Sequence, residues 1–162
     1  GDQDLAAAGG FKMMIGPFTK LKVPNSYNDN PHMGYDGSHV KRAPMPASGS
    51  ILGVSVSCRN SSANDVGDET GPAETLTVEP FIAAPGAADS LSAERATGLR
   101  ATITDSGGTR DISAIASQGK DLDTFNAGDM VTCRMTANSS LYPAGTSASN
   151  YLNCSCLVFV EM

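Results

Sequence analysis

Tryptophan is absent from this chain, and aromatic residues make up only 6% of its 162 positions. Carbohydrate-binding sandwiches normally present aromatic platforms, Trp above all. Tyr142 and Tyr151 alone stand near the last loop, so a dedicated sugar module is poorly supported. No run of about eighteen apolar residues occurs, which excludes a membrane-spanning helix. No basic segment followed by an apolar stretch opens the chain, so there is no sign of a secretory signal peptide. The chain starts at Gly1 rather than Met, so processing, tag removal or trimming upstream is expected. Gly9-Gly10 and Gly107-Gly108 lack the Lys and the following helix of a phosphate-binding loop. Charged residues, at 17%, fall short of the usual quarter or so.

Both histidines, His32 and His39, fall in a stretch too rich in Pro and Gly to hold a catalytic constellation rigidly. Pairing either with Asp36 as a metal site has no further support. The acidic run Asn64-Asp65-Val66-Gly67-Asp68-Glu69 lacks the fixed spacing of a calcium loop. The same holds for Asp121-Leu122-Asp123 with Asp129. Glycosylation-type triplets at Asn60, Asn138 and Asn153 are short enough to arise by chance in a Ser-rich chain. No catalytic residue, metal site or cofactor is therefore expected, and the chain reads as a non-enzyme.

What is present is a core-forming 40% of hydrophobic residues and an uneven charge. Residues 1–50 carry five Lys/Arg and four Asp, a net of +1, whereas residues 51–162 carry a net of −7, giving −6 in all. The acidic part would repel phosphate backbones, which argues against direct nucleic-acid binding.

The first fifty residues hold five of the nine prolines and seven of the seventeen glycines, with neither a helical nor a strand period. Yet Phe11, Met13, Met14, Ile15, Phe18, Leu21, Tyr27, Met33, Tyr35 and Met45 punctuate them, unlike a disordered linker. Residues 1–49 are accordingly expected to be an extended arm docked on a surface of its own domain, a sister subunit or a foreign partner. Removing residues 1–48 is expected to leave a folded protein.

From Ser50 the chain alternates with period two, giving a β-domain over residues 50–162. Strands are expected at Ile51–Arg59, at Leu76–Ile82 with Pro80 marking an edge or bulge, and around Leu99, Ala101 and Ile103. Ser106-Gly107-Gly108-Thr109 reads as a hairpin turn into Asp111–Ile115. One helical turn fits at Ser90–Arg95. Val131, Cys133 and Met135 share a face, as do Leu152, Cys154, Cys156, Val158 and Val160 of the closing strand, which should lie inside a sheet. Leu157 and Phe159 make that strand apolar on its other face too, which points to an oligomer interface there. Six or seven short strands with frequent turns argue for an all-β antiparallel sandwich, jelly-roll-like, preceded by the extended arm.

Cys154 and Cys156 point to one face and cannot bridge each other, but each could pair with Cys58 or Cys133 across a sheet. Four buried thiols are the ordinary outcome. Structural disulfides come next, and a metal site last, since no Cys-x-x-Cys pair is present.

Phe125-Asn126-Ala127-Gly128-Asp129, an alternating strand, a Ser/Pro/Gly/Thr loop and a closing strand ending Val160-Glu161 together resemble the C-terminal β-sandwich domains of tailed-phage virion proteins. Such domains occur in fibre tips, head fibres and capsid decoration proteins and look like trimeric, tumour-necrosis-factor-like or jelly-roll modules. Here the Gly-Asp pair would turn the chain while Phe125 plugs the core. The resemblance is strongest over residues 124–162. It implies a structural role, a homotrimer and a place on the virion. The short arm, with no shaft repeats, fits a capsid decoration (cement) or head-fibre protein on the capsid surface, its arm gripping the major capsid protein. The alternative is a tail-fibre tip or adaptor, whose arm joins a tail protein while the loops Asn60–Pro72 and Ala137–Asn150 meet a host surface receptor.

Overall fold

In a computed structural model, described over residues 10–20, 31–34, 41–60, 74–105, 111–137 and 152–162, the chain folds into ten strands. They are β1 (Lys12–Lys20), β2 (Ala43–Pro44), β3 (Gly49–Asn60), β4 (Glu74–Ala83), β5 (Glu94–Ala96), β6 (Ala101–Asp105), β7 (Asp111–Ser117), β8 (Thr124–Phe125), β9 (Met130–Ala137) and β10 (Leu152–Glu161). A single 3-10 turn, Leu91–Ala93, is the one helical piece among the described residues and falls within the expected stretch.

The strands form two antiparallel sheets packed as a jelly-roll-like sandwich. The first runs β1-β10-β3-β7, with β8 also pairing β3. The second runs β2-β9-β4-β5, with β6 also on β4. Alternation decides which residues fill the space between them. Val54, Val56 and Cys58 from β3 and Cys154, Cys156, Val158 and Val160 from β10 face Leu76, Val78 and Ile82 of β4 and Val131, Cys133 and Met135 of β9. As expected, β10 lies inside its sheet, between β1 and β3.

Four expectations are corrected. The described parts of residues 1–49 are not a separate arm, because β1 extends the first sheet at β10 and β2 joins the second at β9. Ile15, Phe18, Met33 and Met45 are buried in the shared core, so Ile15, Phe18 and Met33 are not free to bind a partner. Removing residues 1–48 would take all four out of the core. The expected hairpin across Ser106–Thr109 is also absent: β6 pairs β4 in the second sheet and β7 pairs β3 in the first. The chain crosses between layers there, through residues outside the described set.

Pro80 sits in neither an edge strand nor a bulge. It pairs with Cys133 on an interior strand, at the gap where β4 changes partner from β6 to β5. A missing N–H costs nothing at that gap, while the Pro80 carbonyl accepts a hydrogen bond from the Thr97 hydroxyl at 2.9 Å. The fourth correction concerns the cysteines. Cys58 and Cys154, facing each other across β3 and β10, form a disulfide, while Cys133 and Cys156 are thiols.

The Phe-Asn-Ala-Gly-Asp segment behaves as expected. Phe125 is buried, Gly128 takes a φ of 88°, and the Asp129 carboxylate accepts the Asn126 N–H at 2.8 Å. A β-branched residue at Gly128 would be strained. Residue 45 clasps this turn: Met45 N–H donates to the Asp129 carbonyl and Gly128 N–H to the Met45 carbonyl, both at 2.8 Å.

Candidate functional site

Two arrangements stand out beyond ordinary packing: an open apolar sheet face and a buried ion cluster.

The open face belongs to the first sheet. Because Cys156, Val158 and Val160 point into the core, Ser155, Leu157 and Phe159 must point out. Register then fixes their neighbours. Met14 on β1 lies opposite Phe159, which lies opposite Gly53 of β3. Leu157 lies opposite Ser55, and Ser55 opposite Ile115 of β7. The next inward-outward repeat gives a row of hydroxyls, Thr19, Ser155, Ser57 and Ser113. The face is thus apolar in one band and hydroxyl-lined in the next. Lys12, Arg59 and Glu161 stand at the ends of their strands.

Met14 is 60% exposed and Ile115 73%, while Leu157 and Phe159 are half-buried. Phe159 has room to lie on the sheet because position 53 has no side chain. A Cβ there would sit 3.4 Å from the Phe159 ring and 3.1 Å from the Ala116 carbonyl oxygen. Ser55, Ser57, Ser113, Ile115, Ser155 and Leu157 line a shallow groove along the same face.

The second arrangement is centred on Glu94, whose side chain has no exposure. Its Oε2 accepts the His32 Nε2 hydrogen at 2.7 Å and the Arg134 Nε hydrogen at 2.8 Å. Its Oε1 accepts from Arg42 Nε at 2.8 Å. An ionised carboxylate only accepts, so the proton of this pair lies on His32 Nε2. Arg42 also donates to the Ala87 and Ala88 carbonyls, and Arg134 to that of Leu91, while its guanidinium covers the Phe81 ring at 3.9 Å. Burial pushes the Glu94 carboxyl up. The hydrogen bonds from His32, Arg134 and Arg42 more than offset this and hold it at about 2. With its carboxylate closed to solvent, the cluster is a clamp that ties residues 31–34 and 41–45 to β5 and β9.

Placed on this frame, the expected partner-binding residues divide. Ile15, Phe18 and Met33 are core; Met13 packs against it; Phe11, 59% exposed, and Met14 face outward. Leu21, Tyr27, Tyr35 and His39 lie outside the described residues, as do the Asn64–Glu69 run and most of both long loops. Leu157 and Phe159 occupy the open face. Asp123 accepts from Arg95 and Gln118, Asp121 from Ser50 and Asp129 from Asn126, so these carboxylates are committed to separate protein donors. Among the described residues no three His, Cys, Asp or Glu side chains gather as a metal site, and no helix is long and apolar enough to cross a membrane. Sequence reasoning missed the Glu94 clamp entirely.

No protein-family model and no curated protein sequence matches this chain. Among solved structures it is similar to the Eiger TNF from S. frugiperda, at 9% identity and a TM-score of 0.44, over 95% of this chain and 93% of that one.

Proposed function

We propose that this protein is a non-enzymatic structural component of a tailed-phage virion. It assembles as a homotrimer through the open face of its first sheet and decorates the capsid surface, against the major capsid protein. The observation that carries self-association is the band of Met14, Phe159, Leu157 and Ile115, free of charge across four strands, with Gly53 and Ser55 of β3 between them, and left uncovered by the described residues. A cluster of large apolar side chains on an outer sheet face marks an interaction site. The virion assignment is supported by the resemblance over residues 124–162.

The capsid contact falls to the exposed Phe11 end of β1 rather than to a long free arm, because Ile15, Phe18 and Met33 serve the core. Trimerisation would multiply three weak contacts into firm attachment through effective concentration.

Light scattering coupled to size exclusion should give a trimer mass for the wild type and a monomer mass for the double variant Leu157→Lys/Phe159→Lys. A wild type that stays monomeric at high concentration overturns the self-association. Capsid attachment is read separately, by co-sedimentation with particles lacking the protein. A trimer that leaves capsids bare would overturn the decoration role alone.

A further inference from the structure

Two sulfur atoms meet in the core besides those of the Cys58–Cys154 disulfide. Cys133 on β9 and Cys156 on β10 belong to opposite sheets, both fully buried, with their Sγ atoms 3.0 Å apart. A disulfide bond is about 2.05 Å long, so closing the gap takes a movement of about 1 Å. The order along β10 explains why both contacts exist. Cys154 and Cys156, two residues apart, face the same way. Cys154 lies beside Cys58 within its sheet, while Cys156 meets β9 across the sandwich.

The setting excludes other uses of this pair. Val56 and Phe18 flank Cys156 in register, and Pro80 flanks Cys133. No third metal-ligating side chain joins them among the described residues. Both thiols are sealed from solvent, and burial, with Cys156 alongside, pushes the Cys133 thiol up. A thiol so placed is a poor nucleophile in the folded protein.

We propose that Cys133 and Cys156 form a second disulfide in the oxidised protein, stapling one sheet to the other. The bond is made while the core is still open, by exchange with a small-molecule disulfide such as oxidised glutathione. One thiolate of the pair attacks a sulfur of the oxidant and releases one glutathione thiolate. The second thiolate then attacks the resulting mixed disulfide, forms the Cys133–Cys156 bond and releases the other glutathione. The two electrons reduce the oxidant's sulfur–sulfur bond, and the two thiol protons end on the released glutathiones.

The test uses the full chain, reduced in denaturant, refolded in a glutathione redox buffer, then alkylated in denaturant and weighed intact. Wild type should take up no alkyl group and be lighter than the reduced chain by the four hydrogens of two disulfides. The variant Cys58→Ser/Cys154→Ser should likewise take up none, and trypsin should leave the peptide ending at Arg134 joined to the C-terminal peptide. The control Cys58→Ser/Cys156→Ser keeps only Cys133 and Cys154 and should be alkylated at both. Two alkylated cysteines in wild type, mapped to positions 133 and 156, would overturn the proposal even if the serine variants fail to fold. Equal disulfide yield in the control would overturn the geometric assignment.

Discussion

Glu94 is the residue on which most depends. Its carboxyl, near 4.5 in an ordinary setting, is held at about 2 in the fold. A folded-state value below the unfolded one means stability that is fully present above about pH 4.5 and lost as the pH falls towards about 2, worth about 3 kcal/mol. Replacing Glu94 with Gln leaves Arg42 and Arg134 buried opposite a neutral amide, so at neutral pH the variant should be less stable by about 3–5 kcal/mol. Urea titrations at falling pH should show wild type and variant converging as Glu94 itself becomes protonated. A constant gap down to about pH 2 would contradict the clamp. None of this was legible in the sequence. His32 and Glu94 lie 62 residues apart and Arg134 a further 40 along, so no local pattern joins them. The cysteines were easier, because period-two spacing alone puts Cys154 and Cys156 on one face with Cys58 and Cys133 within reach.

At the level of elements, β1 shows why alternation was legible over most strands after residue 50, Leu52 excepted because a bulge turns Ile51 inward in its place, and was missed before residue 50. Met13 and Ile15 keep the period of two, but Gly16 and Pro17 together oppose the single residue Leu157, a bulge that delays the next inward side chain to Phe18. Inward residues at 13, 15 and 18 fit neither a strand nor a helix template, so the segment resembled an arm. The bulge also turned a composition argument about Pro and Gly into a wrong boundary. Deleting residues 1–20 should therefore destabilise the sandwich severely. Ile15 and Phe18 each contribute about 1.5–3 kcal/mol of burial, and β10 would become an edge with unpaired backbone groups. Loss of a cooperative thermal transition in circular dichroism is the expected outcome. A truncated chain that melts like the full one would show that β1 is dispensable. The hairpin across Ser106–Thr109 failed for a different reason. A turn signal states that the chain reverses and leaves open whether it returns to the same sheet or crosses to the other.

For the whole molecule, the two-sheet architecture followed from strand count and turn spacing, whereas what covers the outside did not follow from them. Within the N-terminal segment expected to shield β10 from solvent, β1 adds to its edge instead, in the plane of the sheet, leaving Leu157 and Phe159 without a cover from β1. A small sandwich lacking Trp, with apolar side chains on both faces of its central strand, would gain burial from copies of itself. If trimerisation supplies that burial, unfolding and dissociation are linked, and the melting temperature must rise with protein concentration. Calorimetry over a hundredfold concentration range should show this rise for wild type and its absence for Leu157→Lys/Phe159→Lys. The same variant should keep the Cys58–Cys154 disulfide and the Glu94 clamp, since neither touches the open face. A wild-type melting point independent of concentration, together with a monomer mass, would mean that the sandwich is stable alone and that its exposed band serves a different partner.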